Sequence, residues 1–161
     1  MLNHLRDLMA HQSWADSVFF DCWRSTPLLQ ENEDLRRRVT HIVIVQEGFR
    51  KLILGEPVSR PPQEPLQSFG ALENRMRASG AALLSLLEDF NEERETDPLR
   101  VPWFQEKPCV ISIAEALVQV AMHTQHHRGQ CMTVLKQLGG TPKNVDWIIW
   151  LWNGRPKASW A

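Results

Sequence analysis

The chain is 161 residues long, 43% hydrophobic and 23% charged, one domain's worth of globular sequence and not the composition of a disordered chain. Eighteen Lys and Arg against nineteen Asp and Glu leave a net charge of −1, without the basic excess that a nucleic-acid or anionic-membrane binder needs. No apolar run approaches a membrane span, and the first eight residues lack the basic-then-apolar order of a secretory leader, so a cytoplasmic protein is expected, with no membrane and no nucleic acid as partner.

Leu2 to Arg24 contains neither Gly nor Pro, and Leu5, Leu8, Met9, Ala15, Phe19, Cys22 and Trp23 recur at helical spacing. Ser25-Thr26-Pro27 ends this first helix. Leu35, Val39, Ile42, Val45, Phe49 and Leu52 form a second stripe that Gly55-Glu56-Pro57 stops. The proline-rich run from Pro57 to Pro65 reads as a surface connection. Phe69, Leu72, Met76, Leu83, Leu86, Leu87 and Phe90 form a third stripe, in which Ser79 and Gly80 offer a close approach between helices. Pro98, Pro102 and Pro108 exclude a helix from Thr96 to Val110, leaving short extended segments or a small hairpin around Val101, Trp103 and Cys109–Ile111.

Ser112-x-x-Glu115 has the form of a capping box opening a fourth helix, which Gly139-Gly140 closes. A short fifth helix covers Val145 to Trp152, and Gly154 to Ala161 is expected to be a loose tail. The expectation is therefore all-α: residues 1–153 as one four-helix bundle, with a short fifth C-terminal helix and an irregular or hairpin connection before the fourth. Cys22, Cys109 and Cys131 are scattered and make no C-x-x-C pair, so neither a disulfide framework nor a thiolate zinc site is expected.

Three of the six histidines fall in the run His123-Thr124-Gln125-His126-His127-Arg128-Gly129-Gln130. His123 and His127 are four apart, on one helical face, in line with Ala116, Val120, Val134 and Leu138. Two imidazoles on an apolar stripe are costly unless something satisfies them, and one metal ion bound by both does so. His41, on the second helix beside Ile42, offers a third ligand at or near the bundle interior. Three neutral imidazoles leave a fourth position for water or substrate, the catalytic pattern, and suit Zn, Ni, Fe or Cu. The first His is followed by Thr124 rather than Glu, which disfavours zincin chemistry, and no His has an acidic residue three positions before it, as di-iron bundles require. His126 is rotated off the ligand face, and Arg128 reads as a surface or rim charge. Gly129 marks close packing or a site needing space. Cys131 is expected to be a small core residue near the site.

The motif His-x-x-His-His-Arg-Gly-Gln, followed by a helix end at Leu138-Gly139 and then Pro142 and Asp146, resembles the DinB-like family. So does His41 followed by Phe49 and Gly55, and His11-Gln12-Ser13-Trp14-Ala15-Asp16 is similar to the family's aromatic-Asn-x-Trp-Ala-Asn. The resemblance runs to Trp150, where the family often has Tyr. It implies a bundle holding a divalent metal, with Zn or Ni the leading choices, through His41, His123 and His127, and it implies homodimers. Family members with assigned activity include bacillithiol-dependent transferases and a mycothiol-dependent isomerase, so a low-molecular-weight thiol is a candidate cofactor. His11 and Asp16 depart from the family pattern. His11 is a candidate fourth ligand, general base or rim residue, and Asp16 a candidate carboxylate orienting a ligand.

His11, Asp16, His126 and Gln130 are the candidates for acid–base work, and Arg38, Arg50 and Arg128 for contacts with a cofactor's carboxylates. The leading expectation is a metal-dependent transferase or hydrolase acting on a small molecule. A non-catalytic metal-binding stress protein stands second, and a helical interaction module third. Trp147, Trp150, Trp152 and Trp160 are expected to serve packing or a dimer contact.

Overall fold

In the computed structural model the described residues are 2–58, 65–88, 90–104 and 106–160. The helices are α1 (Leu2–Arg24), α2 (Glu33–Ile53), α3 (Phe69–Glu88), α4 (Ile113–Gln137) and the short α5 (Trp147–Trp152). Strands β1 (Pro98–Val101) and β2 (Cys109–Ser112) pair antiparallel, with Val101 opposite Cys109, and form the expected hairpin before α4. Most of the proline-rich connection falls on 59–64, outside the described residues.

Local chemistry sets the ends. The Asn32 side chain accepts a hydrogen bond from the backbone N–H of Leu35, capping α2, and Glu33 and Asp34 complement its N-terminal dipole. The capping box of α4 is complete: Ser112 Oγ accepts from Glu115 N at 3.2 Å, and Glu115 Oε2 accepts from Ser112 N at 2.7 Å. After α4 the backbone turns through Gly139 at φ +92°, a conformation that favours glycine, and Gly140 N donates to Leu135 O at 2.8 Å.

Two apolar clusters make the core. Leu2, Leu5, Met9, Phe49, Ile53, Leu83, Leu87, Ile113 and Leu117 belong to the first, and Phe19, Trp23, Leu35, Val39, Phe69, Leu72, Cys131 and Leu135 to the second. α1 and α4 run from the first cluster to the second, whereas α2 and α3 run from the second to the first. The topology is therefore up–down–down–up, and the connection from α2 to α3 has to span the length of the bundle. α2 packs against α3 and α4, and α1 against α3 and α4. Gly80 of α3 sits against Ser13 of α1, where an added Cβ would lie 3.3 Å from Ser13 Oγ, so the small residue does allow close approach. Gly129 has open space around it and is exposed, so it does not mark close packing.

Between the two clusters, every long helix contributes buried polar residues: Gln12, Ser13, Asp16 and Ser17 from α1, Gln46 from α2, Ser79 from α3, Thr124 and Arg128 from α4. The core is thus divided at mid-height by a polar layer. The expected loose tail is held instead. Trp150 Nε1 donates to Pro156 O at 2.9 Å, Ser159 N donates to Ser17 Oγ at 3.3 Å, and Trp160 packs on the second cluster with its ring centre 5.9 Å from that of Phe20. Burying an indole supplies what a polar tail lacks, a reason to stay docked.

Candidate metal centre

His41 on α2 and His123 and His127 on α4 meet where these two helices pack. Nε2 of His41 lies 3.1 Å from Nε2 of His123, and one ligand atom from each of the three rings falls within 4.8 Å of the others. Two imidazole nitrogens sit about 3.3 Å apart on a tetrahedral ion whose bonds to nitrogen run about 2.0–2.1 Å. The observed spacing and the neutral nitrogen donors therefore fit a divalent cation. Among the described residues no fourth His, Cys, Asp or Glu joins the group.

The three rings are not in the bundle interior. His41 is exposed, and His123 and His127 are half-buried. The buried stripe of α4 is Ile113, Leu117, Val120, Thr124, Arg128, Cys131 and Leu135, whereas Leu138 is exposed. The histidines thus flank the core stripe on its α2 side, where solvent reaches them. Burial lowers the His41 pKa, helped by His127. Burial, and then the charges on His127, His41 and His126, bring His123 down to about 4. Both shifts favour neutral rings, the form that binds metal.

Gln130 organises the α4 side of the group. His127 Nδ1–H donates to Gln130 Oε1 at 2.9 Å, which leaves His127 Nε2 for a cation. Arg38 Nη1 donates to the same oxygen at 3.2 Å, and Gln130 Nε2 donates to His126 Nε2 at 2.9 Å. Gln130 therefore fixes one ring of the group. Gln130→Ala is expected to weaken zinc binding by about 10–100-fold without unfolding the protein, as competition with a chromophoric chelator measures.

The pKa shifts also set a pH dependence for the metal-free protein. Unfolded histidines titrate near 6.5, and folded His123 near 4. Between these values the unfolded chain takes up protons that the folded chain refuses, so stability falls as pH drops through that window and is fully present above it. Thermal melts of chelator-treated protein should show this slope, and His123→Ala should flatten it.

The other candidates lie elsewhere. His11 is buried and is neither a ligand nor a rim residue. Its Nε2–H donates to Val145 O at 2.8 Å, Gln12 Nε2 donates to its Nδ1 at 3.0 Å, and Trp14, Trp147 and Trp150 surround its ring. Among the described residues Asp16 makes no hydrogen bond or ion pair with His41, His123 or His127. It is paired with Arg128, whose Nη1 donates to Asp16 Oδ1 at 2.6 Å while Nη2 donates to Gln12 Oε1 at 2.9 Å and to Gln125 Oε1. Arg128 is thus a buried core cation, 1% exposed, and not a surface charge. Burial holds the Asp16 carboxyl above its usual range despite Arg128. Gln46 Nε2 donates to Thr124 Oγ1 at 3.1 Å, tying α2 to α4 beside His123. Cys131 is fully buried in the second cluster, and burial pushes its thiol up to about 12, which suits a packing residue. Arg50 is in the last turn of α2, beyond Gln46 and Phe49 from His41. Sequence reasoning missed the roles of Gln12, Gln46 and Thr124. The available signal was the polar run of α1, which interrupts an otherwise apolar stripe.

A helical bundle with a surface-accessible three-histidine group between α2 and α4 defines a candidate metal-binding bundle protein. The chain belongs to the DinB family, whose sequence profile matches residues 1–156. No curated protein and no solved structure matches it.

Proposed function

We propose that this DinB-family protein is a metal-dependent enzyme, a thiol-dependent transferase or a hydrolase acting on a small molecule. In this reading His41, His123 and His127 hold one divalent cation, zinc or nickel, and a fourth position takes water, thiol or substrate. The supporting observation is three convergent imidazoles with no fourth protein ligand among the described residues, at an edge where His41 is open to solvent. Structural sites are closed by a fourth protein ligand, and this one is not. A cation bound there lowers the pKa of a coordinated water or thiol, supplying a nucleophile near neutral pH. Gln130 fixes the ring of His127, and exposed His126 stands beside it as a group able to take or give a proton. The same reading takes the protein as a cytoplasmic homodimer, for which the exposed Ile148 and Trp152 of α5 are support.

Elemental analysis of untagged purified protein tests the reading. About one divalent cation per chain is expected in the parent, and none in His123→Ala or His127→Ala. A parent that carries no metal and takes up neither zinc nor nickel sinks it.

A further inference from the structure

We infer that His11 and Gln12 form a proton-operated latch between the C-terminal segment and α4, in which one amide serves either Arg128 or a protonated His11 but not both. The latch involves neither the three-histidine group nor the activity proposed for it.

A carbonyl oxygen only accepts, so Val145 O, 2.8 Å from His11 Nε2, fixes the ring hydrogen on that nitrogen. Nδ1 is then an acceptor, and Gln12 Nε2 donates to it at 3.0 Å. The other end of the same amide, Oε1, accepts from Arg128 Nη2 at 2.9 Å. A proton added to His11 has only Nδ1 to occupy, where it meets the amide NH2, donor against donor. Turning the amide over gives the new N–H an acceptor but sets the NH2 against the guanidinium. Trp14, Trp147 and Trp150 surround the imidazole, and an indole N–H accepts nothing. His11, Gln12 and Arg128 are all buried, so a lost partner is not simply replaced by solvent. Once Gln12 turns to His11, Arg128 keeps Asp16 and Gln125 but loses its second tie from α4 to α1.

Charge sets the direction. Arg128, from α4, opposes a proton on His11, and Asp146, just before α5, favours one. Asp16 of α1 is engaged by Arg128, and Arg155 of the tail, over the Trp150 ring, pairs with Asp7. Burial is the largest effect and, with Arg128, holds the imidazole below its ordinary range against Val145 O and Asp146. Gln12 therefore stays on Arg128 at neutral pH and leaves it in acid. The bond to Val145 O survives, since Nε2 keeps its hydrogen, so it is α4 that is let go. The unfolded chain takes up this proton first, so the stability that the latch lends is present above the ordinary value of 6.5 and is lost as pH falls below it.

Nitrogen-15 NMR of the purified protein tests the latch. In the parent, the His11 ring nitrogens are expected to report the Nε2–H form at neutral pH. On acidification the Gln12 amide and Arg128 guanidinium signals should shift with the same midpoint as His11. In His11→Phe those shifts should vanish, and Arg128 shifts that persist there overturn the latch. Gln12→Glu should raise the His11 midpoint by about 1–3 pH units, because its carboxylate accepts from both cations at once. An unchanged midpoint in folded Gln12→Glu, or an Arg128 signal in the parent that ignores His11, also overturns it. If either variant fails to fold, the paired titrations of His11 and Arg128 in the parent decide alone.

Discussion

Replacing Arg128 with Met is expected to lower the unfolding free energy by about 3–5 kcal/mol, the cost of leaving a buried charge without its partner. Asp16 is 3% exposed, and its 2.6 Å bond to Arg128 is its direct ionic contact among the described residues. Truncating Arg128 also strips the hydrogen-bond donors from Gln12 Oε1 and Gln125 Oε1. Asp16→Leu alone should be comparably damaging, because it strands the guanidinium. The double variant Asp16→Leu/Arg128→Met should recover much of the loss, since apolar residues of similar volume replace buried ion pairs at little cost. Urea denaturation of the three variants measures this. A single Arg128→Met variant within about 1 kcal/mol of the parent would show that water, and not Arg128, satisfies Asp16.

Zinc is expected to stabilise the folded protein by about 4 kcal/mol when free metal exceeds its dissociation constant a thousandfold. For a chain of this size that corresponds to a rise in melting temperature of about 8–16 °C. His127→Ala should abolish the shift, and a chelator should reverse it in the parent. The stripped protein should stay folded, because both apolar clusters, and the Asp16–Arg128 pair between them, form without any ion. Helical circular dichroism of the stripped form separates this outcome from a bundle whose metal is structural, which would melt on chelation.

The fold was legible because its boundaries rest on local chemistry. Pro27, Gly55 and Gly139 end helices by backbone restriction, Ser112 and Glu115 open one by capping each other, and three prolines force the strand pair. The grouping of the three histidines was legible as well, since the i, i+4 spacing fixes two imidazoles on one face and His41 is matched by family likeness. The polar layer was not. A charged residue inside a helix reads as surface by default, and Arg128 is buried only because Asp16, 112 residues away in sequence, lies opposite it. Periodicity carries no information about such a pairing. The same gap misplaced the apolar stripe of α4: Ala116 and Val120 belong to the core, but the stripe continues through Thr124 and Arg128, leaving His123 and His127 at its edge. The tail was misjudged for want of local signals, since Trp160 finds Phe20 only once α1 is in place.

On α4 each histidine of the three-histidine group is followed directly by a member of the polar layer: His123 by Thr124, His127 by Arg128. Successive residues on a helix point about 100° apart, so one helix presents two functional edges at fixed angular offset. Thr124 and Arg128 act as keys that stop α4 from spinning or sliding, and the imidazoles inherit that fixed bearing. The entropy of aligning His123 and His127 for a cation would therefore be spent when the bundle folds. In such an arrangement, evolution of metal affinity is free to proceed at positions that never touch the ion.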